Sequence, residues 1–398
     1  MAEATTKAVI CTNDAWTLLH FRGSLMRALK ARGIEVIAAG PRDQHSAGIE
    51  AMGIRFAHIP MSPSGLNPIE EFRTLMHLYR LYRREKPALV HHYSHKPILY
   101  GTLAARMAGI SGIINTVNGL GSTLGKAEGM LRLAQPWILR LMKFALREPV
   151  RLTFQNRELL DFYVERGLVR PEQGKIILGS GIDTDRFSPP VDNGRPAPSA
   201  PVRFLMFSRM LWSKGVSEYC RAAEQMIEAR GAGVRPEIVL IGGATRDNST
   251  GVEPVWLSNP QTIPGAWLET EAAKGYIDWK PHQPDMLPFI HAADVVVLPS
   301  YYPEGLPRSL LEAMACGKAI ITTDTPGCRD AVDPGVNGML VKPKDVDDLA
   351  RAMTRMIDHP ELVREMGEAS RRMVLSRFSD ECVIDQTFGA YAEAGIAV

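Results

Sequence analysis

Cysteine is scarce in this sequence, five in 398 residues, and no two of them form a C-x-x-C pair. This excludes a metal or redox centre built on neighbouring thiols. Cys11, Cys220, Cys316, Cys328 and Cys382 are expected to be reduced and mostly buried. Long apolar runs are also missing: nothing approaches the ~18 uninterrupted apolar residues of a membrane-spanning helix. The opening residues, Met1 to Lys7, run straight into the strand-like Ala8-Val9-Ile10 without the basic-then-apolar order of a signal peptide, so a cytoplasmic protein is expected. Internal repeats and long low-complexity tracts are absent, and no nucleic acid is expected among the partners. Net charge is small at +2, but unevenly spread: residues 1–181 hold 24 basic against 14 acidic side chains, the remainder 22 against 30. A first half at +10 is expected to face something anionic, with ordinary variation between domains as the competing explanation.

What is present is a soluble globular composition, 45% apolar and 23% charged. Short β-rich apolar runs alternate with helix-length amphipathic segments from end to end. Strands are expected at 7–12, 35–40, 55–60, 88–94, 112–117, 151–155 and 175–181, then at 202–207, 237–242, 275–278, 293–299, 318–323 and 338–341. Apolar runs separated by helices indicate parallel sheets covered on both faces, so the fold class is α/β, two doubly wound, Rossmann-like domains. A Pro-rich stretch at 189–201 reads as the linker between a first domain at 1–188 and a second at 202–379. The last helix, around Glu381–Ala394 within 380–398, is expected to pack back on the first domain. Ligands of such sheets bind beyond the carboxyl ends of the strands, so a cleft between the domains is expected.

The most informative segment is 299–317, Pro-Ser-Tyr-Tyr-Pro-Glu-Gly-Leu-Pro-Arg-Ser-Leu-Leu-Glu-Ala-Met-Ala-Cys-Gly. It follows an apolar strand and must open a helix, with Pro307 in the first turn and Gly317 at the stop. A strand, a glycine-containing loop and a helix start together present free N–H groups and the positive end of a dipole. Arg209 and Lys214 follow the first strand of the same domain and can meet the same anion. A diphosphate fits two cations plus a helix terminus.

Glu304 and Glu312, with seven residues between them, resemble the paired-glutamate motif of glycosyltransferase family 4. The segments Lys318–Asp330, Gly335–Val341 and Gly179–Phe187 are similar to that family as well, so the resemblance spans most of the chain. It implies the GT-B architecture and a retaining transfer from a nucleotide-diphosphate sugar, with UDP as the nucleotide. By that resemblance Glu312 would hold the ribose hydroxyls, and Glu304 with the amides of Gly305 and Leu306, beside Pro307, would face the donor sugar. Arg209 and Lys214 would bind the diphosphate and stabilise its charge as it leaves. No metal or other cofactor is then required.

In the first half, Thr12-Asn13-Asp14-Ala15-Trp16 with Arg22, the run Val90–Gly101, and Ile113–Gly121 look like the subgroup that extends polyprenyl-diphosphate-linked saccharides in bacterial glycan assembly, such as the bacillosamine-linked N-acetylgalactosaminyltransferases. Asn13, Trp16, Arg22, His95 and Lys96 are the candidate acceptor contacts, with a structural role as the alternative for His95 and Lys96. Asn118 stands where many family members have a histidine that touches the donor sugar, and an amide cannot titrate near neutrality, which argues against a general base there. His91 and His92 should point to opposite faces of a strand, so a metal site with His95 is not expected. Asp183-Thr184-Asp185 reads as an aspartate-stabilised turn rather than a metal-binding D-x-D.

Residues 126–147 mix Leu131, Leu133, Trp137, Ile138, Leu141, Met142 and Phe144 with Lys126, Arg132, Arg140, Lys143 and Arg147, and Glu128 is the one acid. Either this is a helix lying on an anionic membrane surface or a core helix with solvated charges. A lipid-linked acceptor would require the former, and with it a place on the inner face of the cytoplasmic membrane. Two other classes stay open: a nucleotide-sugar epimerase of the same architecture, and a non-catalytic subunit of a glycan-assembly complex. The paired-glutamate segment and the membrane-like helix count against the first, and the intact Glu304, Glu312, Arg209 and Lys214 count against the second.

Overall fold

The computed structural model describes residues 6–62, 67–119, 129–190, 201–231, 235–243 and 261–397. The chain forms two compact units, residues 1–181 with 380–398, and residues 182–379.

In the first unit, seven strands lie in the order β3-β2-β1-β4-β5-β6-β7. They are β1 (Lys7–Cys11), β2 (Glu35–Gly40), β3 (Arg55–His58), β4 (Leu89–Tyr93), β5 (Ile113–Val117), β6 (Arg151–Phe154) and β7 (Gly174–Ile176). Every pairing is parallel, as the apolar, non-alternating strands require. One face packs on α3 (Pro68–Glu85), α4 (Thr102–Ala108) and α5 (Gly129–Ala145), through Leu78, Tyr82, Ala104, Ala105, Met142 and Ala145. The other packs on α1 (Ala15–Ala31) and the last helix (Asp380–Glu393), through Leu18, Met26, Phe388 and Tyr391. That last helix belongs to the first unit. Ser24 Oγ donates to Asp380 at 2.5 Å, Arg32 lies 3.5 Å over the Phe388 ring, and the Tyr391 hydroxyl meets His91 Nδ1 at 2.7 Å.

The second unit holds six parallel strands in the order β10-β9-β8-β11-β12-β13. They are β8 (Arg203–Phe207), β9 (Glu237–Ile241), β10 (Asp278–Lys280), β11 (Val295–Leu298), β12 (Ala319–Thr323) and β13 (Gly338–Val341). Two strands differ from expectation for a local reason. The strand expected at 275–278 starts at Asp278, because Gly275 turns in the left-handed region at φ 79. The one expected at 175–181 ends at Ile176, ahead of Gly179 and Gly181 at φ 75 and 82.

Residues 182–188, read from sequence as the end of the first domain, lie in the second unit. Ile182 N–H donates to the Phe378 carbonyl at 3.1 Å, and the Arg371 guanidinium donates to the carbonyls of Thr184 and Phe187 at 3.1 and 2.9 Å. Most of the expected linker, 191–200, lies outside the described residues, as do Leu120, Gly121, Lys126, Glu128 and the segment 244–260.

Candidate active site

In each unit the strand order reverses beside the first strand: between β8 and β11 in the second, between β1 and β4 in the first. At such a point the loops leaving two neighbouring strands diverge, and their backbone ends form a crevice. Most of the sequence-predicted residues fall on the loops at these reversals or on the helices that follow them, and Asn118 follows β5.

In the second unit, β8 leads into Ser208–Gly215 and β11 into Pro299–Pro307. Two glycines hold the loops close. Gly215, at φ 79, lies where a Cβ would come within 2.1 Å of the Pro299 carbonyl, and Tyr301 N–H donates to the Ser213 carbonyl at 3.0 Å. Across this junction Lys214 Nζ meets Glu304 Oε1 at 2.5 Å, with side chains only 9% and 21% exposed. Ser300 Oγ donates to the same Glu304 oxygen at 3.2 Å. From the next loop, Gly327 sits under Glu304 and Gly305: a Cβ there would lie 2.4 Å from each of their carbonyl oxygens. Arg209 is exposed, and its guanidinium meets no described residue.

The helix that follows, α10 (Arg308–Ala315), starts one residue later than expected, with Pro307 as its N-cap. The Pro307 carbonyl accepts from Leu310 and Leu311 N–H at 3.2 and 3.3 Å. The amides of Gly305 and Leu306 have no acceptor among the described residues. Gly317, at φ 73, closes the helix as its position suggested. Glu312, on the interior of α10, accepts from Arg308 Nε at 3.0 Å; burial pushes its carboxyl up from the usual range while Arg308 opposes the shift. Lys214, Glu304, Gly305 and Leu306 are thus brought to one place, Arg209 sits on the Lys214 loop, and Glu312 lies one helical turn beyond Arg308.

In the first unit the remaining candidates lie on the loops after β1, β4 and β5 and on α1. Asn13 lies in the bend after β1, before Asp14, which caps α1 by accepting from Thr17 N–H at 2.6 Å. Trp16 is exposed, with its ring edge-on to Phe21 at 4.9 Å. Arg22 is buried, its guanidinium 3.8 Å over the Tyr93 ring and its Nη2 donating to Asn118 Oδ1 at 3.3 Å. Lys96 is ion-paired with the buried Glu71 of α3, so its charge is already countered. Burial lowers the His95 imidazole to about 4, and its Nε2 has no partner among the described residues.

His91 and His92 do face opposite sides of β4. His91 bonds Tyr391 and Thr116, and burial holds it well below its usual pKa. His92 donates from Nδ1 to Asn115 at 2.8 Å and accepts from the Tyr82 hydroxyl at 2.9 Å; burial lowers it to about 4. Both are neutral core residues. Asp183 Oδ1 accepts from the N–H groups of Asp185 and Arg186 at 3.1 and 2.9 Å, the expected turn. Among the described residues no three His, Cys, Asp or Glu side chains gather in a metal-binding group.

Comparison with known proteins bears on both units. The family model of glycosyl transferases group 1 matches residues 192–373, and that of glycosyl transferase 4-like domains matches residues 10–156. The chain belongs to these glycosyltransferases. It is 26% identical over 381 residues, 94% of each chain, to the N,N'-diacetylbacillosaminyl-diphospho-undecaprenol alpha-1,3-N-acetylgalactosaminyltransferase of Campylobacter jejuni. It is 25% identical over 348 residues, covering 85% of this chain and 84% of the relative, to the UDP-Gal:alpha-D-GlcNAc-diphosphoundecaprenol alpha-1,3-galactosyltransferase of Escherichia coli. A glycosyltransferase structure from Rickettsia africae shares the GT-B fold across 100% of both chains, with a TM-score of 0.74 at 16% identity. The Anabaena HepE structure in complex with UDP covers 98% of this chain and 100% of its own, also with a TM-score of 0.74, at 15% identity.

Reading the sequence missed two residues that shape the site in the second unit, Ser300 and Gly327, and one partner of Asn118 in the first, Gln155. Ser300 gave no signal, being one serine after a strand. Gly327 sat inside a segment similar to the family but without a role, and only its φ of 83 shows why that place needs glycine. Gln155, which donates to Asn118 Oδ1 at 3.2 Å, lies 37 residues away in sequence. Gly327→Ala is expected to push the Glu304–Gly305 backbone out of place. The expected result in a calorimetric titration is UDP binding at least tenfold weaker than wild type; unchanged affinity would show that Gly327 does not shape the loop.

Proposed function

We propose that this glycosyltransferase moves a sugar, an N-acetylhexosamine or a hexose, from a UDP-sugar to a polyprenyl-diphosphate-linked saccharide, with retention at the anomeric carbon. The observation that carries the reading is the Lys214–Glu304 contact at the strand-order reversal of the second unit, beside two amides with no acceptor among the described residues and the exposed Arg209. The acceptor class is supported by the two relatives, whose names specify diphospho-undecaprenol-linked substrates; the nucleotide is supported by the second, named for UDP-galactose.

In this reading the diphosphate of the donor lies against Arg209, Lys214 and the amides of Gly305 and Leu306. Its negative charge grows as the bond between the anomeric carbon and the β-phosphate oxygen breaks, and preorganised donors stabilise that growth. The Lys214 ammonium has three N–H donors, so one can stay on Glu304 while others meet phosphate. Glu304, on the sugar side of the lysine, stabilises the cationic oxocarbenium-like sugar and does not form a covalent bond to it. The acceptor hydroxyl attacks from the face the diphosphate leaves, forming the new C–O bond, and its proton passes to the departing phosphate oxygen. The charge is met by arginine, lysine and backbone, so the step needs no metal. Glu312 holds the ribose: with its carboxyl oriented by Arg308, it accepts from sugar hydroxyls.

The acceptor's lipid fits a surface of the first unit. On α5 the exposed apolar side chains Leu133, Trp137, Leu141 and Phe144 follow one another at spacings of four, four and three, while Met142 and Ala145 face the core. Arg140 lies over the Trp137 ring and Arg147 over Phe144, at 5.0 and 4.2 Å. The neighbouring helices of the same layer add exposed Ile69 and Phe72 on α3 and Met107 on α4. The exposed Arg132 and Lys143 extend the basic rim. Apolar side chains inserted among headgroups, with cations beside them worth about 1 kcal/mol each, suit an anionic leaflet. In this reading the enzyme works peripherally on the inner face of the cytoplasmic membrane. No described helix is long and apolar enough to cross it.

Two measurements check these readings. Glu304→Ala is expected to lower transfer from a UDP-sugar to an undecaprenyl-diphosphate-linked saccharide about a hundredfold, followed by product chromatography with and without the acceptor. Conversion of the donor alone, with no acceptor product, would favour an epimerase and contradict the proposal. For the membrane face, wild-type protein should sediment with vesicles containing phosphatidylglycerol and the Trp137→Glu, Phe144→Glu double variant should stay in solution. Equal sedimentation of the two would remove α5 from the membrane contact.

A further inference from the structure

At the carboxyl end of β4 the backbone leaves its ordinary path. Ser94 sits in the left-handed region at φ 69, a conformation that residues other than glycine seldom adopt. His95 and Lys96 follow, and the chain then makes one π-helical turn, Pro97–Gly101, packed against α3. Lys96 is thereby held at the first turn of α3, where its Nζ donates to Glu71 Oε1. Glu71 is buried, at 8% exposure, although Ile69 and Phe72 of the same turn are exposed. Its other oxygen, Oε2, is shut off from solvent and accepts no hydrogen bond among the described residues. Burial, helped by the nearby Glu71 charge, raises the Tyr100 hydroxyl, but no hydrogen bond is made to Oε2. Buried acceptors in folded proteins are seldom left in this state.

The charge balance of the pair decides what it can receive. The Lys96 ammonium is countered by Glu71, so the pair holds no excess cation for a phosphate. What it offers is a carboxylate oxygen, a charge-assisted acceptor for a neutral O–H or N–H. The two side chains keep 18% and 11% exposure, so the pair is open on one side. The terminal carboxylate torsion is soft, and an ammonium with three donors can follow it, so the free oxygen can turn to that side. We infer that Glu71, held by Lys96, is the residue that accepts a hydrogen bond from a hydroxyl or acetamido N–H of the acceptor's lipid-proximal sugar. The sugar next to the lipid is the part that comes here, because Ile69 and Phe72 beside Glu71 belong to the apolar face proposed for the membrane. The inference rests on the proposed function for the acceptor class. It goes beyond it by assigning the residue that tells a sugar-bearing lipid diphosphate from a bare one, and it makes Lys96 a support for Glu71 rather than a phosphate contact.

The test titrates two short-prenyl diphosphates into the full chain, one carrying N-acetylglucosamine, the sugar in the name of the Escherichia coli relative's substrate, and one bare. The Glu71→Leu, Lys96→Met double variant removes the pair without leaving a buried charge, so a Tm at or above wild type and unchanged UDP affinity are expected. Its affinity for the sugar-bearing probe is expected to fall about tenfold, with the bare diphosphate within about twofold of wild type. In the transfer assay the loss should appear in KM for the acceptor and not in kcat. Glu71→Gln keeps the size of the side chain and an oxygen for Lys96 but withdraws the charge, and about a fivefold loss for the sugar-bearing probe alone is expected. Should the double variant fail to fold, Glu71→Gln decides: wild-type affinity for the sugar-bearing probe overturns the assignment. Equal weakening of both probes in either variant, or equal affinity of the wild type for the two, overturns it as well. A wild type that transfers nothing to any lipid-linked saccharide contradicts the proposed function and this inference together. A working wild type with an indifferent double variant contradicts this inference alone.

Discussion

The Lys214–Glu304 ion pair is the contact on which the second unit's site depends. It joins the loop after β8 to the loop after β11, the two that diverge at the reversal of strand order. Placing an ammonium and a carboxylate where both are largely removed from water is expensive, and the attraction between them does not by itself return that cost. An apolar pair of similar size would serve stability as well. Keeping charges there makes sense when a third charged group is to be received. The surroundings keep the pair in place: glycine at 215 lets the lysine loop touch the Pro299 backbone, and glycine at 327 lets the next loop pass beneath Glu304.

The first unit handles its polar groups differently. Its buried histidines are neutralised by burial and saturated by hydroxyls and an amide, and Lys96 is countered by Glu71. What is left at least partly exposed at the reversal between β1 and β4, and at the edge of β5, includes the uncharged Asn13, Trp16 and Asn118. Such groups suit hydroxyls and sugar faces better than phosphate. The excess positive charge of this half instead includes the helices α3, α4 and α5, on the layer that also exposes its large apolar side chains. In the proposed reading, charge meets phosphate in one unit and charge with apolar anchors meets a membrane in the other, matching a soluble donor and a lipid-linked acceptor.

Much of this was legible in the residues. Parallel strands announce themselves as apolar runs such as Val295–Leu298, whose four residues are all buried, and the turn residues between them are strong. Strand ends were harder, because Gly179 and Gly275 end or delay a strand through backbone conformation that hydrophobic patterning does not carry. The 182–188 boundary escaped for a similar reason: it depends on Arg371, nearly two hundred residues later, capturing two carbonyls. Arg209, Lys214 and Glu304 could be named because they stand in short segments with a chemical logic of their own. Gln155 and the pairing of Lys96 with Glu71 could not, since each is a long-range partnership between residues of ordinary composition.

The most direct test of the diphosphate site separates phosphate from nucleoside. UDP and uridine would each be titrated into wild type and Lys214→Ala, with folding checked by circular dichroism. The expected result is a UDP affinity lowered at least tenfold by the substitution, with uridine binding the same in both proteins. Equal weakening of the two ligands, or no weakening of either, would contradict a site in which Lys214 meets the diphosphate.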